Sequence, residues 1–180
     1  MESPAYRPGI ADRLAALIRV ATVSEQRADR AEAFADFPRV LAEAYPLLHT
    51  RLERVPLEGT GLMFRWRGRT ASAPLVLMAH WDVVPAPDGE SWEGTGWTVD
   101  PFAGTRTVRD GQDAVVGRGA LDDKGPLVVV ADAVENLLAA GFTPQHDVWL
   151  VFGGDEEVQG TDAVRMSAAL RTAQIGRAHV

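Results

Sequence analysis

The chain has 180 residues, 46% of them hydrophobic and 24% charged, which suits one soluble globular domain with its own apolar core. Its 18 basic against 25 acidic residues leave a net charge of -7, and this argues against a nucleic-acid partner, because phosphate binding needs clustered Lys and Arg. Cysteine is absent, so disulfides and thiolate ligands are excluded and any metal has to be held by His, Asp and Glu.

Met1 to Leu17 lacks the basic start and apolar run of a secretory signal. No stretch approaches the roughly 20 apolar residues that span a bilayer. The expectation is a cytoplasmic protein with no membrane partner. In chain order, Ile10, Leu14, Leu17 and Ile18 share a helical face, which predicts an amphipathic helix over 9–20. Asp36 is placed to cap a second helix, with Pro38 in its first turn and Val40, Leu41 and Ala44 inward. That helix should stop near Tyr45, because Pro46 disfavours helix at the residue before it. Leu62 to Trp66 alternates like a half-buried strand, Gly68 to Pro74 reads as a loop, and Leu75 to Ala79 as a central strand covered on both faces.

Residues 85–104 hold Pro, Gly, Trp92 and Trp97 without periodicity and are read as a long loop, a length that is often functional. Thr105 to Val108 and Ala114 to Val116 flank Asp110-Gly111 and predict a hairpin. Pro126 to Ala139 is apolar almost all round and predicts a buried helix capped by Gly141. Asp147 to Phe152 reads as another core strand, and Thr161 as the cap of a last helix running through Leu170. Strands alternating with helices imply an α/β fold, a layered sheet flanked by helices, within a single domain.

Residues 174–180, QIGRAHV, stand apart. They back-translate as CAG-ATC-GGA-AGA-GCA-CAC-GTC, which resembles a widely used short-read sequencing adapter read in frame. The plainer alternative is a natural helix tail ended by Gly176. The adapter reading makes residues 1–173 the natural part and 174–180 a non-native tail.

Three clusters carry the chemistry. His80-Trp81-Asp82-Val83-Val84-Pro85 follows a predicted strand, and alternate residues of extended chain point the same way, so His80 and Asp82 can meet. A neutral imidazole suits zinc, and a ligand histidine commonly gives its other N–H to a carboxylate. A structural His–Asp hydrogen bond would use the same pair. Gly117 to Gly125, GRGALDDKG, precedes the buried helix; Asp122 can bridge two cations with its two oxygens, or an acid there can simply cap the helix. Gly153-Gly154-Asp155-Glu156-Glu157 follows the last strand, where neighbouring side chains of extended chain diverge. One glutamate can then bind metal while the other faces substrate as a base. Ligands beyond the carboxyl ends of strands fit the rule for open α/β sheets.

HWDVVP, GRGALDDKG and GGDEE, in this order, resemble the three N-terminal motifs of the acetylornithine deacetylase, succinyl-diaminopimelate desuccinylase and carboxypeptidase family of zinc metallopeptidases. The segment APDGESWEGTGWTVDPFAG is similar to the carboxypeptidase S and Gly-X carboxypeptidase branch, with Trp92 or Trp97 and Asp100-Pro101-Phe102 in the matching loop. The resemblance covers about residues 10–172. It implies the N-terminal part of a catalytic domain with two zinc ions, for which cobalt can substitute, and hydrolysis of amide bonds next to a free carboxylate in small peptides or N-acyl amino acids. His80 and Glu157 would be ligands of different zincs, Asp122 the bridge with a cis Asp122–Asp123 peptide, Asp82 the residue that orients His80, and Glu156 the general base. The family's further acidic ligand and last histidine, and its smaller domain that mediates dimerisation, have no match here. With three donors for two metals the polypeptide itself is expected to be inactive or nearly so, and the resemblance implies a homodimeric full-length parent. A diguanylate-cyclase reading of Gly153 to Glu156 fails, because Glu157 stands where an aromatic residue is usual and HWDVVP goes unused. A non-catalytic binding domain of the same fold is the alternative, and Glu156, a spare glutamate beside a ligand, argues against it.

Overall fold

The computed structural model describes residues 7–87, 92 and 94–173; the tail 174–180, with its adapter reading, and the N-terminal six residues lie outside them. The first helix, α1, spans Ile10–Arg19 and buries Arg13, Ala15, Leu17 and Ile18. Ile10, expected inward, is exposed, and Arg13 takes the buried place because its guanidinium meets Asp132 at 2.8 Å.

The second helix corrects the sequence expectation. Helix α2 runs over Ala31–Ala44, with Asp36 and Pro38 in its interior. Phe34, Phe37 and Leu41 are buried at helical spacing, and burying such side chains is worth about 1.5–3 kcal/mol each. Together they outweigh the roughly 3 kcal/mol that an interior proline costs. Asp36 does not cap; its carboxylate accepts from the Arg39 guanidinium at 2.7 and 3.0 Å. The helix ends against Tyr45 as expected, but Pro46 also opens a short helix, α3, Pro46–Arg51. A proline suits a first helical position, and the freed N–H groups of Leu47 and Leu48 donate to the Glu135 carboxylate at 3.0 and 2.8 Å.

Among the described residues six strands follow in two sheets. Strands β1 (Glu53–Val55), β2 (Leu62–Trp66) and β3 (Thr70–His80) precede a two-stranded hairpin of β4 (Thr105–Arg109) and β5 (Gln112–Val116). Helix α4 (Lys124–Ala139) leads to β6 (His146–Gly153), and α5 (Asp162–Thr172) closes the described chain. The main sheet has the order β1-β2-β6-β3, with β3 and β6 parallel and the other pairs antiparallel.

Strand β3 is longer and lies elsewhere than the sequence suggests. Thr70 already pairs with His146, and the register shifts between Thr70 and Leu75, where Ala73 has φ of 46°. Pro74 lacks an N–H for the ladder, so the irregularity falls where the loop was expected. Among the described residues β3 is an edge strand and β6 the interior one; Leu75 and Met78 are 51% and 68% exposed. An all-apolar run reports the character of both faces, not which strand lies beside it.

Alternation sorts the strand side chains into two layers. Leu62, Phe64, Trp66, Leu150, Phe152, Leu77 and Ala79 pack on one face with residues of α1, α2, α3 and α4. Met63, Val76, Trp149 and Val151 pack on the other with Met166, Ala169 and Leu170 of α5. The result is the expected layered α/β arrangement. Helix α4 ends in a Schellman turn: Gly141 has φ of 69° and donates to Leu138, while Phe142 donates to Leu137.

Candidate metal centre

Parallel pairing of β3 and β6 brings their carboxyl ends together, with His80 opposite Gly153. Trp81 N–H donates to the Gly153 carbonyl at 2.9 Å, so the two loops leave the sheet side by side. The start of α4 closes the third side: the His80 N–H donates to the Asp123 carboxylate at 3.1 Å, and the Asp122–Asp123 peptide is cis. All three motif clusters therefore meet at one corner of the sheet.

Ligand atoms of His80, Asp122 and Glu157 lie within 4.8 Å of one another. His80 Nε2 is 2.9 Å from Asp122 Oδ1 and 3.8 Å from Glu156 Oε2. On the other side of the ring, Nδ1 is 3.1 Å from the Asp82 carbonyl and 3.3 Å from Asp82 Oδ1. Asp82 is fully buried; its Oδ2 accepts from the Ser24 hydroxyl and, at 3.0 Å, from the Glu157 N–H. A proton held on Nδ1 leaves Nε2 as the ring's metal-facing nitrogen. One imidazole and two carboxylates form a nitrogen and oxygen donor set of the kind zinc takes.

Charge in the corner follows from packing. Burial works against a charged His80 ring, but the Asp82 and Asp122 carboxylates outweigh it and push its pKa up to about 9. Burial acts to raise Asp82, and the His80 ring, the Ser24 hydroxyl and the backbone N–H groups of Glu157 and Glu156 together hold it below the usual carboxylate range. Glu157 is raised by burial and by the nearby Asp122 charge. A bound cation would take the place of the extra proton on the His80 ring between the Asp122 and Glu157 carboxylates.

Two details differ from the sequence picture. Glu156–Val158 forms a 3-10 turn and not extended chain, yet the two glutamates still diverge: Glu157 joins His80 and Asp122, and the Glu156 side chain is 62% exposed. Asp155 takes no part in the cluster. It is buried, and its carboxylate accepts from the N–H groups of Thr161 and Asp162 at the start of α5. The Thr161 side chain, expected to cap that helix, makes no capping bond. Of the loop residues, Arg118 lies over the Trp97 ring at 5.4 Å and Phe102 packs on Val23 and Val83.

Some contributors were missed in the sequence. Ser24 lies 58 residues from Asp82, so no local pattern joins them. Lys124 was passed over within GRGALDDKG. It is wholly buried, its Nζ donates to the carbonyls of Leu17 and Val20 at 3.0 and 2.7 Å, and burial pushes its pKa down to about 7. A lysine inside a motif, just before an apolar run, was the available signal. A cleft of about 360 Å³ opens beside the cluster, lined by Met78, Ala79, Val151 and Met166 together with His80 and Glu156.

Residues 76–179 match the family model described as Peptidase family M20/M25/M40. The chain is 33% identical over 170 residues to the human N-fatty-acyl-amino acid synthase/hydrolase PM20D1, covering 92% of this chain and 32% of that protein. It is 31% identical over 169 residues to carboxypeptidase S of Saccharomyces cerevisiae, covering 89% and 28%. Among solved structures, the di-peptidase Dug1p of Saccharomyces cerevisiae superposes with a TM-score of 0.67 at 21% identity, over 92% of this chain and 35% of that one. Human carnosine dipeptidase 1 superposes with a TM-score of 0.64 at 21% identity, over 91% and 34%. The chain thus spans about a third of the length of the curated relatives it matches.

Proposed function

Given that the chain belongs to peptidase family M20/M25/M40, whose members are metallopeptidases and related hydrolases, we propose that it is the zinc-holding part of an enzyme that cleaves amide bonds next to a free carboxylate. The reading rests above all on the convergence of His80, Asp122 and Glu157 within 4.8 Å, backed by the buried Asp82. His80 and Glu157 would each hold one of two zinc ions and Asp122 would bridge them. Zinc, when bound, supplies Lewis acidity towards the scissile carbonyl and towards water.

The chain's own residues supply orientation and proton transfer. Asp82 turns the His80 ring so that Nε2 faces the cluster. Glu156, exposed and 3.8 Å from that nitrogen, would take a proton from water as the water oxygen bonds to the carbonyl carbon. The same carboxyl then returns the proton to the leaving nitrogen as the C–N bond breaks. One water is consumed, and an acid and an amine are released. The names of the relatives and of a structural neighbour point to N-fatty-acyl-amino acids and dipeptides, and we carry the wider classes of N-acyl amino acids and small peptides to this chain because each puts a carboxylate beside the cleaved bond.

Three donors are fewer than two zinc ions take, since catalytic sites usually bring three protein ligands per metal. The 180-residue polypeptide alone is therefore expected to bind metal and to show no turnover. Residues 174–180 are proposed to be adapter-derived, on the match of their back-translation. Sequencing the locus from an independent library should give a frame that departs from the present one after Ala173. The protein that frame encodes should hydrolyse members of a panel of N-acyl amino acids and dipeptides with zinc or cobalt, and a chelator should stop it. Glu156→Gln should lower kcat by at least about 100-fold with metal content unchanged. No hydrolysis anywhere in the panel by a zinc-loaded protein would sink the reading.

A further inference from the structure

We propose that Ser24 is a positioning residue of the metal centre: its hydroxyl sets the roll of the Asp82 carboxylate, and so, together with the Asp82 carbonyl, steadies the His80 ring with Nε2 towards metal. The inference rests on the metal reading of the His80, Asp122 and Glu157 cluster.

Asp82 is fully buried, so its carboxylate has no solvent to satisfy it. Its two oxygens have different work. Oδ1 lies 3.3 Å from His80 Nδ1, a nitrogen whose hydrogen bond goes to the Asp82 carbonyl at 3.1 Å, and Oδ2 accepts from the Ser24 hydroxyl and the Glu157 N–H. Two donors on Oδ2 fix the plane of the group, and that plane aims Oδ1 at the ring. Removing the hydroxyl leaves the Glu157 N–H as the donor on Oδ2, with the Glu156 N–H and the His80 ring still near the group, and loosens the roll of the carboxylate.

Ser24 is itself held firmly enough to do this. It is buried, and its own N–H and the Thr22 carbonyl are bonded to the backbone of Val83. The Val83 N–H donates to the Thr22 carbonyl at 3.0 Å and the Ser24 N–H to the Val83 carbonyl at 3.1 Å. The Thr22 hydroxyl donates to the Trp81 carbonyl at 2.6 Å. Just upstream, the Leu17 and Val20 carbonyls accept from Lys124 Nζ, two residues beyond Asp122. The segment 17–24 is thus a strap tied to the two loops that carry His80 and Asp122, and Ser24 is the point where it touches the carboxylate behind the ligand.

The test compares Ser24→Ala with Thr22→Val in the 180-residue chain. The second change removes a strap hydroxyl that does not touch Asp82. Cobalt and zinc affinity are read by titration, and exchange of the His80 Nδ1 proton by NMR in the metal-free chain. S24A is expected to weaken metal binding about tenfold, the low end of the roughly 10–100-fold cost of losing a group bonded directly to a ligand, and to speed exchange of that proton. T22V should leave both within about threefold of the parent while lowering Tm, and Ser24→Thr should recover the S24A loss. Unchanged affinity and exchange in S24A would overturn the proposal, as would equal losses in S24A and T22V that track Tm. If the parent binds no metal but S24A alone still speeds the exchange, the Ser24 link stands and the metal reading falls.

Discussion

His80 shows how a single side chain carries both chemistry and a pH signature. Without metal its ring is held cationic by Asp82 and Asp122 against the opposing effect of burial, with a pKa pushed up from 6.5 to about 9. A folded value above the unfolded one means that the pairing stabilises the metal-free fold fully below about pH 6.5 and that this contribution is lost as pH rises through about 9. Metal needs Nε2 free and must displace that proton. Zinc affinity is therefore expected to rise about tenfold per pH unit from neutral pH to about 9 and then level off. Glu157, raised by burial and by Asp122, adds a second proton to displace at acid pH. Competition titrations between about pH 6 and 10 check this, and a flat profile below pH 8 would show that His80 is not the ligand.

The loop after β6 depends on close packing more than on charge. A Cβ at Gly154 would run into the Trp81 indole and come within 2.7 Å of the Thr60 hydroxyl. Trp81 cannot retreat, because it is stacked on Phe37 with ring centroids 4.5 Å apart. Gly154→Ala is expected to cost about 1–3 kcal/mol, through strain between the loops that carry His80 and Glu157. Denaturant unfolding of the metal-free chain measures it, and an unchanged midpoint would mean that the indole has room to shift. The neighbouring Asp155 follows the same logic: an acid in a charged run serves the start of α5 because its backbone position lies beneath the Thr161 and Asp162 N–H groups.

The molecule as a whole is held by two apolar layers of unequal size. The larger joins four helices to one sheet face, and the smaller joins α5 to the other through Met166, Met63, Trp149 and Val151. Met166 is 4% exposed and also lines the cleft beside the cluster. Met166→Ala should cost about 2–5 kcal/mol and loosen α5. Faster amide exchange along 162–172 than along α4 would be its signature. Protection lost equally from both helices would instead show that the two layers unfold as one unit.

Local pattern was sufficient for much of this protein. Hydrophobic periodicity and turn chemistry located α1, the hairpin, α4 with its Gly141 cap, β6 and α5, because each depends on spacing within a few residues. The residues gathered at the corner of the sheet were also legible, since His80, Asp82, Asp122, Glu156 and Glu157 sit in short motifs at the ends of elements. What the local pattern could not supply was anything set by packing between distant segments. Helix α2 ignores Pro38 because Phe34 and Phe37 find a core, β3 lies at an edge because β6 is its described neighbour, and Asp155 caps a helix while Glu157 turns inward. Ser24 and Lys124 act through partners far away in the chain. Such partners exist only once the chain has folded, since burial strips each polar group of water and makes it bond to whatever the tertiary structure brings near.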